Sequence, residues 1–430
     1  MEQKTKPPDI TLKRKLGLWP ATLVGIGVIL GAGIYVLVGV GAGRAGNAVW
    51  LSFLMGAAVA GFTGLSYARL HRLQPRNAPE FQYLNMAFGR APGFLAGWLV
   101  IWATVLSSAT VALGFDGYLQ HLLDVPYLAG AVGLVLVSSV VVFLGVGESA
   151  LLAGVLTLVE AGGLLFIISI GVPSLGRVDL LEMPLGVPGV VGGASLVFFA
   201  YLGFEGMANL SEEMRNPERD LPRALTLALG ISSLFYVLVS ISAVSVVGWE
   251  ELGRSNAPLA LVASRVLGPK GDLVLSLIAL TSTANTVLLM LFAASRATWA
   301  MACAGVLPVR LCVIGRKRRT PWFATIVVGA SAALFALIRN IEDVAEFTNF
   351  ATLIAFVGVN AAAFWLFARN QGGGRVRHVV IDMAVPMLGV VASLWLAAAA
   401  GWRAALFGAG LIVAGVLVYA LVTRFMPKSE

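Results

Sequence analysis

Apolar residues fill this chain in long unbroken runs, and short polar stretches between them hold nearly all the charges. Twelve runs stand out, near 17–41, 47–69, 93–119, 127–146, 149–172, 189–210, 224–248, 272–299, 322–338, 346–368, 379–399 and 403–423. A helix crossing the hydrocarbon of a bilayer needs about 20 predominantly apolar residues, and each run is of that order. The runs are continuous where a transmembrane barrel would alternate with period two, which argues against a barrel. The pattern therefore predicts an all-α integral membrane protein with twelve transmembrane helices. Residues 1–16 and 424–430 form polar tails.

Composition sharpens this picture. Of the 430 residues, 58% are hydrophobic and 12% are charged, about half the charged share of a soluble domain. So few charges cannot cover a water-facing surface. A soluble enzyme, a nucleic-acid binder and a disordered scaffold are excluded on that ground, and the expected partner is the lipid bilayer. The net charge of +8 comes from dispersed residues and predicts no nucleic-acid partner. Counted by alternate loops, 23 of the 30 Lys and Arg residues fall on the side that carries both termini, and 7 on the other. The positive-inside rule then places both termini in the cytoplasm of a multi-pass cell-membrane protein. Arg316-Lys317-Arg318-Arg319 is the strongest anchor. No cleavable leader is expected, because the polar start runs into a long apolar segment without a small-residue cleavage site. Cys303 and Cys312, nine residues apart, match no metal or disulfide framework and read as two isolated thiols. His71, His121 and His378 are scattered, so no metal and no cofactor are expected.

Three stretches interrupt the pattern. The first run carries Gly25, Gly27, Gly31 and Gly33, and the sixth carries Gly203 and Gly206 around Glu205. The second internal loop is long and amphipathic and predicts a segment lying along the cytoplasmic surface. Runs one and six hold equivalent places if 17–172 and 189–368 are two repeats of five helices, with 379–423 as two peripheral helices. A repeat with an odd number of spans inserts upside down relative to its partner. Inverted repeats with paired, glycine-interrupted helices mark secondary transporters.

At these residues the chain resembles the amino acid–polyamine–organocation superfamily. Gly31-Ala32-Gly33-Ile34-Tyr35 is similar to its G-S-G-I-F motif, and Phe198–Glu205 to its F-F-A-Y-x-G-F-D/E. Residues 211–224 match E-E-x-x-N-P-x-R-x-L-P-x-A, while 295–308 and 320–322 resemble the motifs in and after the eighth helix. The resemblance implies a five-plus-five inverted repeat of the LeuT type plus two helices, with helices 1 and 6 unwound at mid-membrane. It also implies a substrate site. The amides of Ala32 and Gly33 would hold an α-carboxylate, as anions suit a half-helix N-terminus. The carbonyls of Ile29, Phe199 and Leu202 would hold the α-amine, and Phe199 would cover the substrate. Gly31, Ile34 and Ala200 complete the two motifs.

Two acids lie inside predicted spans, where ionisable groups default to function. Glu205 follows the sixth-run break and is expected to bind a proton or to organise the unwound segment. Glu160, in the fifth run, stands where many relatives carry lysine. It either takes up and releases a proton or ligates a cation, with the carbonyls of Gly27 and Leu30 and the hydroxyls of Thr281, Ser282 and Thr283 as neighbours. Coupling to H+ or Na+ is thus left open. Asp116 and Asp382, near helix ends, are expected to be solvated and are assigned no chemistry, and the charge run 212–223 reads as a cytoplasmic helix. The second internal loop departs from the family pattern, with Arg69 in place of glutamate and Pro75–Phe81 lacking the glycine pair.

The resulting expectation is a secondary active transporter moving amino acids by alternating access, proton-coupled or exchanging, as a monomer or homodimer. A polyamine or organocation carrier of the same fold is the alternative, and a transporter-like sensor is a third. No phosphate-binding G-x-x-x-x-G-K-[ST] loop and no H-E-x-x-H zinc motif is present, so neither ATP hydrolysis nor other enzymatic chemistry is expected.

Overall fold

In hydrocarbon every peptide N–H and C=O must find a partner within its own segment or in a packed neighbour, and a helix does this most directly. The computed structural model describes residues 16–73, 79–145, 150–207, 214–315, 318, 320–369 and 376–425. They form α1 (Leu18–Ile29), α2 (Gly33–Ala45), α3 (Val49–Leu73), α4 (Pro79–Phe88), α5 (Arg90–Leu122), α6 (Ala129–Leu144), α7 (Ala150–Gly171) and α8 (Gly186–Val197). The second half holds α9 (Pro217–Val247), α10 (Trp249–Arg254), α11 (Pro258–Leu267), α12 (Pro269–Cys303), α13 (Trp322–Ala336), α14 (Ile341–Arg369), α15 (Val376–Ala399) and α16 (Gly401–Phe425). Among the described residues the β structure is one isolated bridge, Leu16 to Met214, closed by Arg215 N–H on the Leu16 carbonyl at 2.9 Å.

Among the described residues, eight helical segments are long and apolar enough to cross a membrane, and several shorter apolar helices accompany them. One of the eight, Gly33–His71, is divided into α2 and α3 by a turn at Gly46, whose φ of 72° suits glycine. The outside of the molecule is apolar too. On α16, Leu406, Val413, Val416, Leu417 and Leu421 are all exposed, a surface that suits acyl chains and not water.

Two groups of helices share the interior. In one, α3 packs on both α8 and α9, α9 packs on α1, and α8 packs on α2. In the other, α5 is the hub, packed against α12, α14, α6 and α13. The first predicted run folds as two helices, α1 and α2. The seventh begins earlier than its apolar residues do. Residues 217–223, read from sequence as part of a separate charged helix, are the opening turns of α9, with Pro217 in the first turn where a missing N–H costs nothing. The segment 249–268, read as a loop, folds as α10 and α11. Gly39 and Gly43 let α10 press onto α2, since a Cβ at Gly39 would stand 2.6 Å from the Leu252 carbonyl oxygen.

Two further expectations are overturned. Cys303 and Cys312 are disulfide-bonded, with Cα atoms 5.0 Å apart. The turn Ala304–Leu311 folds the chain back after α12, and sequence spacing carries no trace of that reversal. Asp116 is 1% exposed and far from solvated. Its Oδ1 accepts the amides of Gly130 (2.9 Å) and Ala131 (3.3 Å), and its Oδ2 those of Leu128 (3.0 Å) and the Gln120 side chain (2.5 Å). The cap position of α6 is Leu128, which has no oxygen to offer, so α5 supplies the carboxylate from across the turn. Several sequence features lie outside the described residues: the start of the 212–223 charge run, Pro75–Ala78, Arg316, Lys317, Arg319, and the side chain of Asp382.

Asp116→Ala is expected to destabilise the protein by about 1–3 kcal/mol through the orphaned α6 amides. Thermal unfolding in detergent should show the lower midpoint, and an unchanged midpoint would refute the capping role.

Candidate functional site

α1 ends when the Leu30 amide bonds the Ile26 carbonyl at 2.7 Å, and helical structure resumes at Gly33. The residue at the cap of α2 is Ala32, whose methyl group cannot serve the first-turn amides. The Ala32 amide itself reaches the Thr286 hydroxyl of α12 at 3.3 Å, and that hydroxyl donates onward to the Ser282 carbonyl at 2.9 Å. Residues 30–32 therefore present an N-terminal helix end inside the protein, a place where partial positive charge collects.

A second interruption faces the first. α8 ends at Val197, tightens into a 3₁₀ turn over Phe198–Tyr201, and leaves helical geometry at Leu202 and Gly203. Gly203 has φ of 110°, which glycine alone adopts readily. Its amide donates to Glu205 Oε2 at 2.9 Å, so the half-buried Glu205 braces its own turn. The Leu202 amide takes the Phe199 carbonyl at 3.1 Å.

The two interrupted segments meet backbone to backbone. A Cβ at Gly33 would stand 2.6 Å from Ala200 Cα, and one at Gly203 would stand 3.2 Å from the Val28 carbonyl oxygen. Tyr236 of α9 ties them together. Its buried hydroxyl lies 2.7 Å from the Ala200 carbonyl and also hydrogen-bonds the Ile29 carbonyl. One hydroxyl carries one proton, so the two carbonyls share a single donor. Ile29, Ala32, Gly33, Ile34, Phe199, Ala200 and Leu202 are all buried around this point, and Gly31 is half-buried against Thr286. The carbonyl of Ala200, beside the predicted Phe199 and Leu202, is the one that converges with Ile29.

Glu160 sits one layer away on α7, 3% exposed. Its backbone carbonyl accepts the Tyr35 hydroxyl of α2 at 2.7 Å, and the Tyr35 carbonyl in turn accepts the Tyr118 hydroxyl of α5 at 2.8 Å. α1 touches α7 at Gly27, where a Cβ would collide with the Thr157 hydroxyl at 2.2 Å. Leu30, Ser282 and Thr283 are buried, and Thr283 donates to the Ala279 carbonyl at 2.7 Å. Thr281 is not gathered with them. It faces outward, and its hydroxyl bonds the Leu277 carbonyl of its own helix at 2.8 Å. Tyr236, Thr286 and Thr157 escaped the reading of the sequence. Thr157 and Tyr236 sit among apolar residues and Thr286 ends the polar stretch Thr281–Thr286; the signal that could have raised them is that a hydroxyl in an apolar span needs an acceptor. Among the described residues no group of three or more His, Cys, Asp or Glu could hold a metal.

At the C-terminal end of α2, Arg44 reaches across to the first turns of α14. Its guanidinium bonds Glu342 Oε2 at 2.8 Å and also Glu346. Beside it, Glu182 accepts the Asn47 amide at 2.6 Å and the Trp249 indole at 3.1 Å. These contacts tie the C-terminal end of α2 to α14 and to the segment that carries Glu182.

The sequence profile of the amino acid permease family matches residues 16–429. Branched-chain amino acid permease BcaP of Bacillus subtilis is 27% identical over 436 residues, spanning 96% of this chain and 94% of its own. An uncharacterised transporter of Mycobacterium tuberculosis is 31% identical over 434 residues, spanning 99% and 96%. The vacuolar cationic amino acid transporter 4 of Arabidopsis thaliana is 29% identical over 378 residues, spanning 81% of this chain and 62% of its own. These relatives are permeases and transporters, and none is an enzyme. With a family match across nearly its whole length, the chain belongs to the amino acid permease family of the amino acid–polyamine–organocation superfamily.

Proposed function

We propose that this protein is a secondary active transporter that carries amino acids across the cell membrane by alternating access. The observation that carries the reading is the meeting of two interrupted segments at Gly33 and Ala200, bracketed by the Tyr236 hydroxyl. The first-turn amides of α2 suit a carboxylate, and the Ile29 and Ala200 carbonyls suit an ammonium. A zwitterion matches that pair without any charged side chain. On arrival, its ammonium replaces the shared Tyr236 proton at one carbonyl. The flanking Ile34, Phe199 and Leu202 favour an apolar side chain, in keeping with a relative named for branched-chain amino acids.

In this reading twelve spans form two inverted repeats of five, with α1 plus α2 and α8 plus its 3₁₀ turn as the paired broken helices, and α15 and α16 outside the repeats. Both termini are cytoplasmic. The group built on α3, α8 and α9 rocks against the group built on α5, and the Arg44 clamp holds the extracellular end shut. Glu160 and Glu205 flank the site as candidates for H+ or Na+ coupling, with Gly27, Leu30, Ser282 and Thr283 around Glu160. Thr281, turned outward, takes no part. A cationic substrate is the second reading. It is favoured by those two acids and by a relative named for cationic amino acids. Competition settles the choice: neutral amino acids block uptake of labelled leucine in the first reading, and arginine or a polyamine does so in the second.

Gly33→Val should abolish exchange of labelled leucine in reconstituted vesicles, by a hundredfold or roughly so, because a side chain there drives the two backbones apart. Folded protein should still be recovered, and wild-type exchange rates in that variant would sink the substrate site. Tyr236→Phe should slow exchange about tenfold, the worth of one hydrogen bond of about 1–1.5 kcal/mol. A rate within the scatter of wild type would remove the bracket from the cycle.

A further inference from the structure

A second buried acid lies between the interrupted sixth segment and the chain end of α3, and the transport reading above does not use it. Glu80, in the first turn of α4, is 4% exposed. Its Oε1 accepts the hydroxyl of Tyr67 of α3 at 2.8 Å. Tyr67 is itself fully buried, with its ring edge-on to Tyr83 at 5.9 Å, to Phe204 at 6.0 Å and to Phe356 at 5.7 Å. Phe204, edge-on to Tyr67, is the chain neighbour of Glu205, which places the end of the interrupted segment beside the Tyr67–Glu80 pair. On the other side, Tyr83 Oη lies 3.3 Å from Nδ1 of His71, which is 5% exposed. Two hydrogen-bonded pairs, Tyr67–Glu80 and Tyr83–His71, thus lie side by side across the Tyr67–Tyr83 ring contact, with Glu205 next to Phe204 at one end.

Among the described residues no lysine or arginine forms an ion pair with Glu80. On α3 the basic residues are Arg69, His71 and Arg72. Arg90 of α5 donates to the Ala304 carbonyl at 2.8 Å, and Arg369 of α14 lies over Trp365. A buried carboxylate without a cation is costly when ionised and relieved by a proton. Burial pushes the Glu80 carboxyl above the usual carboxylate range, against the opposing pull of the Tyr67 hydroxyl and its own amide.

We infer that Glu80 is a proton-binding site of the transport cycle, linked through Tyr67 to Glu205 at the interrupted helix and through Tyr83 and His71 to the cytoplasm. The inference rests on the transporter reading and on the cytoplasmic placement of α4. Passing a proton from the Glu205 carboxyl to the Glu80 carboxylate breaks one O–H bond and forms another, with no change in the charge of the cluster. Release through the His71 imidazole then delivers the proton to the cytoplasmic side. Two like charges in one apolar pocket are disfavoured, so the pair holds a proton until His71 accepts it. A brace joining α4 to α3 would need an acceptor for Tyr67 and no more, and glutamine supplies one.

The test uses the full chain in liposomes that hold a pH-sensitive dye, with labelled leucine and labelled arginine as probes. In wild type, uptake of one probe should acidify the lumen. Glu80→Gln should cut that acidification about tenfold or more and leave counterflow of the same probe within about twofold. Acidification at the wild-type rate in Glu80→Gln overturns the inference. Should that variant lose counterflow as well, Tyr67→Phe decides. Losing the hydroxyl removes a bond that favours the carboxylate, so the pH of half-maximal uptake should rise, and an unmoved pH profile overturns the inference. Wild-type counterflow without any proton influx defeats this inference alone. Absence of counterflow for both probes in wild type defeats the transporter reading itself.

Discussion

Peptide groups freed from a helix inside an apolar body must be met by something, and here the Tyr236 hydroxyl meets the Ile29 and Ala200 carbonyls. Tyr35, Tyr118 and Tyr201 use the same chemistry to tie helices together, bonding the carbonyls of Glu160, Tyr35 and Phe53 within α7, α2 and α3. Each ring brings apolar bulk and one donor, which suits a place that is dry yet holds stray carbonyls. Glycine supplies the other half of the solution. Gly33, Gly203 and Gly27 remove the side chains that would hold α1, α2 and the sixth segment away from their neighbours. Without both devices the interruptions would cost several kcal/mol for each orphaned group. With them, two helix ends sit in the interior and stay available to a ligand.

Much of the architecture was legible because hydrocarbon imposes one rule on every span. The long apolar runs correspond to long helices, and the glycines of runs one and six mark where α1 ends and where α8 gives way to a 3₁₀ turn. Features fixed by tertiary meeting were not legible. Asp116 lies in α5, twelve residues before the Leu128 amide it accepts, and nothing local in its sequence indicates a cap for another helix. α10 and α11 carry too mixed a composition to stand out, and their helical form depends on docking onto α2 and on neighbouring α12. Tyr236 sits in an apolar run where an aromatic residue looks like any other core side chain. The cysteine pair depended on a chain reversal after α12 that spacing alone could not reveal.

The acid at position 160 shows where a family pattern stops being transferable. A lysine would place a positive charge between α1, α7 and α12, whereas Glu160 places a carboxylate there, one helical turn from Thr157. The fold around it accommodates the change through contacts that ignore the side chain, because Tyr35 bonds the backbone carbonyl of residue 160. Backbone recognition fixes α7 against α2 whichever residue stands there.

In the proposed transport cycle, contacts of two different chemistries would close the two ends of the molecule. At one end Arg44 pairs with the solvent-accessible Glu342 and with Glu346, which is 7% exposed, so water and salt weaken the first pair more than the second. At the other end Glu80 and Tyr67 close beneath α4 in a dry aromatic cluster. There an acid cannot be exposed or ionised cheaply unless its proton moves. On the proposed proton site, a closure of the second kind would be tied to proton movement by its own energetics. Because α2 begins at Gly33, against Ala200, a ligand that settles on its first-turn amides acts directly on the helix whose far end carries Arg44.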